Sequence, residues 1–200
     1  MRRSRQSSIC SGSRAVASSP TTCSHSKPPG LQGAPHYPDL MGRRIDYHQD
    51  PNAPAANSVR PSAAAFVHQQ GAVLLICRSD NGNWSMPGGA HDPGESLSRT
   101  AVRETQEETG VDIHVTGIVG IFTDPTHVIH YTSNDEVRQE FTVVYRGDAI
   151  GGHPTTSDES TRVEWVPVEQ IPSLTMDPSQ RKRIDWALNE SEPYIDPDAR

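Results

Sequence analysis

Two hundred residues suffice for one globular core of ordinary size with tails, and the length favours one core over two. The formal net charge of −7 is unevenly spread: residues 1–58 hold seven Lys/Arg against three Asp/Glu, the remainder eleven against twenty-two. The folded part is therefore strongly acidic, which repels nucleic acid phosphates at long range and makes cations and small molecules, not a nucleic acid polymer, the expected partners. No run approaches the roughly 20 apolar residues of a membrane-spanning helix, so no membrane partner is expected either.

Residues 1–40 are rich in Arg, Ser and Pro and almost free of acid, a composition similar to an organelle transit peptide but lacking an apolar periodic face. A start at Met41 reads the same stretch as one without function, and residues 1–58 as a whole are expected to be a disordered or extended tail, with a second tail at 191–200. Cys10, Cys23 and Cys77 form no C-x-x-C pair, which suits a reducing, cytoplasmic compartment. Pro51, Pro54 and Pro61 punctuate an extended lead-in to two buried strands, 64–67 and 72–77, joined by the turn Gln69-Gln70-Gly71 into a hairpin. A turn at 79–83 leads to a short strand at 84–86, which Pro87-Gly88-Gly89 must break. The next segment, 96–109, reads as a helix, with Ser96 as its N-cap and Gly110 at the left-handed position after its end. Strands are expected at 113–122, 136–146 and 162–166, and a last helix at 178–188 with Arg181-Lys182-Arg183 on its solvated side. Strands, one internal helix, more strands and a final helix make a mixed α/β domain over 59–190, not a doubly wound parallel sheet.

The chemistry sits in the segment 89–111. On a helix advancing 100° per residue, Glu104, Glu107 and Glu108 fall within one 100° arc, so three carboxylates share a face. Such clustering costs about 0.2–0.5 kcal/mol per like-charged pair, which pairs of Arg103 with Glu107 and of Glu95 with Arg99 would partly offset. A solvated acidic face explains the three glutamates taken alone. It does not explain Gly89, Glu95, Arg103 and Gly110 at their spacings: seven fixed residues match a given window by chance about once in 10⁸. The segment resembles the Nudix box, G-x5-E-x7-R-E-U-x-E-E-x-G-U with U a bulky apolar residue. Trp84-x-Met86-Pro87-Gly88-Gly89 is similar to the strand and turn that lead into it, so the resemblance spans roughly 60–190. One position departs: the first U is Thr105, whose hydroxyl can bond back to a carbonyl of the preceding turn.

The resemblance implies a Nudix-type α/β/α sandwich with a mixed β-sheet and a loop-helix-loop catalytic motif. It implies a hydrolase that uses Mg²⁺, with Mn²⁺ as a substitute, on a small nucleotide substrate. Glu107 and Glu108 would be the main ligands, Glu104 would join them and the Gly89 carbonyl would complete the protein share, while Arg103 orients a box glutamate and Glu95 holds the loop. All-oxygen donor sets suit Mg²⁺. Glu159, six residues before Trp165, is the candidate base for the attacking water, with Glu104 and Glu108 as rivals. Arg138 and Glu140 share a strand face that could line the substrate cleft, with Gln139 opposite, and Trp84 could stack on a base or sit in the core. His91 reads as a solvent-facing loop residue, and His127-x-x-His130 as side chains on opposite strand faces rather than a zinc pair. Pro125, fourteen residues beyond Val111, is near where a proline resembles the ADP-ribose-cleaving subset, although it equally explains a turn after Asp124. A nucleoside diphosphate linked to another moiety, ADP-ribose or a nucleotide sugar, is thus the first expected substrate and nucleoside triphosphates the second. The competing function is a nucleotide-sensing Nudix-like module without turnover, and assembly as a homodimer is open.

Overall fold

The computed structural model describes residues 44–197, so the readings made on residues 1–43, including Cys10, Cys23 and Met41, lie outside the described residues. In chain order the elements are β1 (Arg44–His48), β2 (Ser58–Val59), β3 (Ser62–Gln69), β4 (Ala72–Arg78), β5 (Trp84–Ser85), β6 (Gly88–Ala90) and α1 (Leu97–Thr109). They continue as β7 (Val111–Phe122), β8 (His127–Tyr131), β9 (Glu136–Gln139), β10 (Thr142–Gly152) and β11 (Ser160–Pro167). A 3-10 segment (Val168–Ser173), α2 (Pro178–Asn189) and β12 (Tyr194–Ile195) complete the described chain. The larger sheet runs β11-β4-β3-β10-β7-β12, with β5 beside β4 and β6 beside β3, and the smaller runs β1-β8-β9-β2. The larger sheet is mixed: β3 pairs parallel with β10 while β10 pairs antiparallel with β7.

Strand β3 shows how the layers form. Successive side chains of a strand point to opposite faces. Ala64 and Phe66 join Leu75, Val144, Ile184 and Ala187 on one side, and Ala63, Ala65 and Val67 join Leu74, Ala101 and Val111 on the other. Helix α2 covers the first face and α1 the second, which is the expected α/β/α arrangement. The row of alanines in β3 leaves room for Ala101 of α1, itself fully buried, to approach the sheet.

Several elements differ from the sequence reading. The hairpin of β3 and β4 turns through Gln70 (φ 51°) and Gly71 (φ 80°) but pairs only at its base, His68 with Val73 and Gln69 with Ala72. Beyond that the strands part, because β3 takes β10 and β6 as partners while β4 takes β11 and β5. Pro87 does end β5, yet the chain re-enters the sheet at once as β6. The strand expected at 136–146 is two strands in two sheets, separated at Glu140 and Phe141. Residues 44–48, placed by composition in the tail, pair with β8 over the full length of β1, and Tyr194 and Ile195 pair with β7. The Arg181-Lys182-Arg183 run is not a solvated face. Arg183 is 5% exposed and donates to Glu140 and Thr142, and Arg181 donates to the carbonyls of Ile171 and Leu174.

Ile184, fully buried, fastens α2 to the sheet. Ile184→Ala should cost about 2–5 kcal/mol in urea unfolding, and a loss below about 1 kcal/mol would show that α2 is not seated as described.

Candidate active site

Helix α1 carries the site, and its ends are fixed by the residues the sequence singled out. The Ser96 hydroxyl accepts from the Arg99 N–H at 3.2 Å, and Gly110, at φ 70°, donates to the Gln106 carbonyl at 2.8 Å. Thr105 is fully buried and its hydroxyl donates to the Ala101 carbonyl at 2.7 Å, so the departure from the apolar pattern leaves no unpaired group.

Arg103 organises the acidic residues around it. Its Nε and Nη2 donate to the two oxygens of Glu95 at 2.9 and 3.1 Å, and its Nη1 donates to Glu104 at 2.8 Å and to Glu107 at 3.0 Å. A further bond to the Ala90 carbonyl, 3.3 Å, ties the loop to the helix. Glu95 is therefore held by Arg103, with Thr100 as a second donor, rather than by Arg99. His91 is not simply solvent-facing. Its Nδ1 lies 2.9 Å from the Thr100 hydroxyl, which gives its own proton to Glu95, so His91 donates.

The three box carboxylates sit in graded surroundings. Glu107 is more than half exposed, Glu104 is mostly buried and Glu108 is 3% exposed. Burial, opposed by a 2.8 Å bond from the Gly88 N–H and reinforced by the Glu104 charge, pushes Glu108 up to about 8. Glu104 is raised chiefly by burial as well, with the charges of Glu107 and Glu159 adding to the shift against the pull of Arg103. At Gly89 a Cβ would lie 2.5–2.6 Å from the Glu104 carboxyl group, so any side chain there would push that carboxylate out of its place. The Gly89 backbone thus abuts the carboxylate face. An all-oxygen set in which Glu104 and Glu108 are raised by burial and Glu107 stays open to solvent fits a hard divalent cation.

A cleft of about 290 Å³ opens beside this face, and Gly88, Gly89, Ala90 and Glu159 border it at that end. Glu159 is exposed, in the turn before β11, and close enough to raise both Glu104 and Glu108. Trp84 lines the cleft but is 4% exposed, with Arg162 over its ring, so it is a core residue at the cleft floor. Arg138 and Glu140 both line the cleft. So does Gln139, which strand alternation set on the other face, since β9 ends at Gln139 and the chain turns there. Arg78, which the sequence did not suggest, lines the same cleft and forms a forked pair with Asp80 at 3.0 and 2.6 Å.

The far wall was also missed. Arg44 clasps Asp46 through two bonds of 2.9 and 2.8 Å, Asp46 faces His127 at 3.3 Å, His127 faces Glu140 at 3.3 Å, and Arg183 donates to Glu140. His48 stacks on His127 with ring centroids 4.1 Å apart and bonds Asp177 at 2.9 Å. Arg44, Asp46 and His48 alternate along β1, and that R-x-D-x-H period was the signal available. His130, by contrast, turns to Asp135 on the other face of β8. Asp46, His48, His127 and Asp177 offer donor atoms within 4.8 Å of one another, a possible cation nest. The two imidazole planes lie only 25° apart, so their in-plane lone pairs run side by side, and a shared ion would require the rings to turn.

The chain matches the NUDIX domain family over residues 59–187. It is 29% identical over 147 residues to a MutT-like protein of Streptomyces ambofaciens, covering 74% of this chain and 87% of that protein. It is 28% identical over 115 residues to an ADP-ribose pyrophosphatase of Methanocaldococcus jannaschii, covering 56% and 64%. Among solved structures, a NUDIX hydrolase from Nitrosomonas europaea shares the fold with a TM-score of 0.54 at 21% identity, covering 66% of this chain and 89% of that one.

The wall also makes stability pH-dependent. Burial alone would lower His127, but Asp46 and Glu140 outweigh it and raise it to about 9. A histidine raised from 6.5 stabilises the fold fully below pH 6.5 and loses that contribution as pH climbs through 9. Thermal unfolding should therefore show a fall in stability between pH 6.5 and 9 that is smaller in His127→Gln; equal slopes in the two proteins would contradict the protonated wall.

Proposed function

Because the chain belongs to the NUDIX family and is a hydrolase of phosphoanhydride bonds, we propose that its substrate is a nucleoside diphosphate linked to another moiety. ADP-ribose or a nucleotide sugar ranks first and nucleoside triphosphates second, with Mg²⁺ as the ion and Mn²⁺ as its substitute. The hydrolase unit is residues 59–190, with β1 added as a wall of its cleft. The observation that carries this reading is the placement of Glu104, Glu107 and Glu108 on one helical face, with Glu104 against the Gly89 backbone that borders a cleft of about 290 Å³. The name of the Methanocaldococcus relative and the position of Pro125, just before β8, support ADP-ribose as the first substrate to try.

Glu107 and Glu108, with Glu104 and the Gly89 carbonyl, would hold the ion. When bound, it would neutralise phosphate oxygens against the incoming nucleophile. Arg103 keeps Glu104 and Glu107 in place through the bonds described above, and Glu95 fixes Arg103 in turn. Glu159 stands on the open side of the face, where its carboxylate can take the proton of the attacking water; Glu104 and Glu108 are its rivals for that role. Arg138, Glu140 and Trp84 border the space left for the rest of the substrate.

A panel of ADP-ribose, nucleotide sugars, dinucleotide polyphosphates and nucleoside triphosphates, assayed with Mg²⁺ and with Mn²⁺, tests the reading by product analysis. Turnover of ADP-ribose or a nucleotide sugar is expected, and it should fall by a factor on the order of 10²–10⁴ in Glu107→Gln and Glu108→Gln, and less in Arg103→Lys. Glu159→Gln should lose the acidic limb of the pH–rate profile. Inert ADP-ribose and nucleotide sugars beside active triphosphates would reverse the substrate ranking, and an unchanged profile would remove Glu159 from the mechanism.

A further inference from the structure

Two residues outside the fixed positions of the box are tied into its charge network. His91 falls in the open stretch between Gly89 and Glu95, and Thr100 in the one between Glu95 and Arg103. The His91 Nδ1–H donates to the Thr100 hydroxyl at 2.9 Å, and that hydroxyl donates to Glu95 Oε2 at 2.9 Å. The rival acceptor, the Ser96 carbonyl, is uncharged and lies farther off at 3.4 Å, so the single hydroxyl proton goes to Glu95. The same Oε2 accepts from Arg103 Nη2 at 3.1 Å, and Arg103 reaches on to Glu104 at 2.8 Å and Glu107 at 3.0 Å. An unbroken series of bonds thus runs from His91 to two of the carboxylates on the acidic face.

The series gives the network a fixed point. Arg103, Glu95, Glu104 and Glu107 are long side chains that, bonded only to one another, could shift as a group, and the backbone holds Arg103 through a bond of 3.3 Å to the Ala90 carbonyl. Thr100 is short, β-branched and fully buried on α1, so its hydroxyl has few positions open to it. His91 is pinned in turn, because its backbone N–H donates to the Pro61 carbonyl at 3.0 Å, just before β3 begins. A hydroxyl that accepts from His91 is also the stronger donor to Glu95. From this arrangement we propose that His91 and Thr100 are positioning residues for the cation face. They hold Glu95, and through it Arg103, so that Glu104 and Glu107 keep the orientation in which an ion is bound. The inference rests on the proposed ion site on α1, and it goes further by giving a role to two residues that the box leaves unspecified.

Titration of the full chain with Mn²⁺, with the free ion followed by electron paramagnetic resonance, tests this without any turnover. The component of binding lost in Glu108→Gln defines the α1 site. Thr100→Val, which fills nearly the same space without the hydroxyl, should weaken that component about 3–10-fold, the order of one neutral hydrogen bond acting through a ligand's partner, and Thr100→Ser should restore it. If Thr100→Val unfolds, judged by thermal melting, the half-buried His91 carries the test. His91→Leu should weaken the component by a similar factor, and His91→Asn, whose amide N–H can stand where Nδ1–H does, should restore it. Wild-type affinity in the Val and Leu variants, or Ser and Asn variants as weak as these, would overturn the inference and leave the ion site in place. Unchanged Mn²⁺ binding in Glu108→Gln would remove the ion site and the inference with it.

Discussion

The bonding of one guanidinium to three carboxylates is the interaction on which the site depends. Glu104, Glu107 and Glu108 repel one another on a single helical face, and a helix with free ends would relieve that strain by fraying. Arg103 opposes it by spanning Glu95, Glu104 and Glu107, and by reaching the Ala90 carbonyl it also fixes the loop that enters the helix. Its bonds leave Glu108 outside the arrangement. That residue is turned inward to the Gly88 N–H, buried and short of countercharge. One positive charge thus orients three carboxylates without neutralising them, and the face stays short of positive charge beside the Gly89 backbone, where a cation would complete it.

The opposite wall follows a different logic. With His127 protonated, Arg44, Asp46, His127, Glu140 and Arg183 alternate in sign, so each group in the chain of contacts meets only opposite charges. Ion pairing of this kind gives little net stability once desolvation is counted, but it fixes orientation. That fixed orientation is achieved by bringing β1, β8, the break after β9 and the start of α2 to one place. Two charged regions therefore face one cleft: an acidic face short of positive charge, and a lattice of alternating charges in which His127 Nδ1 and Arg183 Nε keep no hydrogen-bond partner.

How much was legible in the sequence depended on distance along the chain. The helix 97–109, both its caps, the Thr105 back-bond and the shared face of the glutamates are local, set by spacing and by residues within four positions of one another. They could be read directly. The Arg103–Glu95 pair was misread because two arginines, Arg99 and Arg103, were in reach, and only the path of the loop decides between them. The wall was illegible because its members lie at 44, 46, 127, 140 and 183, and nothing local says they meet. Composition placed residues 44–48 in a tail since five residues among prolines carry no burial signal; the pairing that recruits them comes from β8. Likewise Arg183 looked like part of a solvated basic run, and only the break between β9 and β10 brings Glu140 to it.

The central claim is that the charge deficit of α1, and not the acid–histidine group of the far wall, is where a divalent cation resides. A crystal structure with Mn²⁺ and a non-hydrolysable diphosphate analogue, examined by anomalous scattering, addresses it directly. The account predicts a peak ligated by Glu107 and Glu108 near the Gly89 carbonyl. A peak instead at Asp46, His48, His127 and Asp177, with the α1 carboxylates bare, would contradict it.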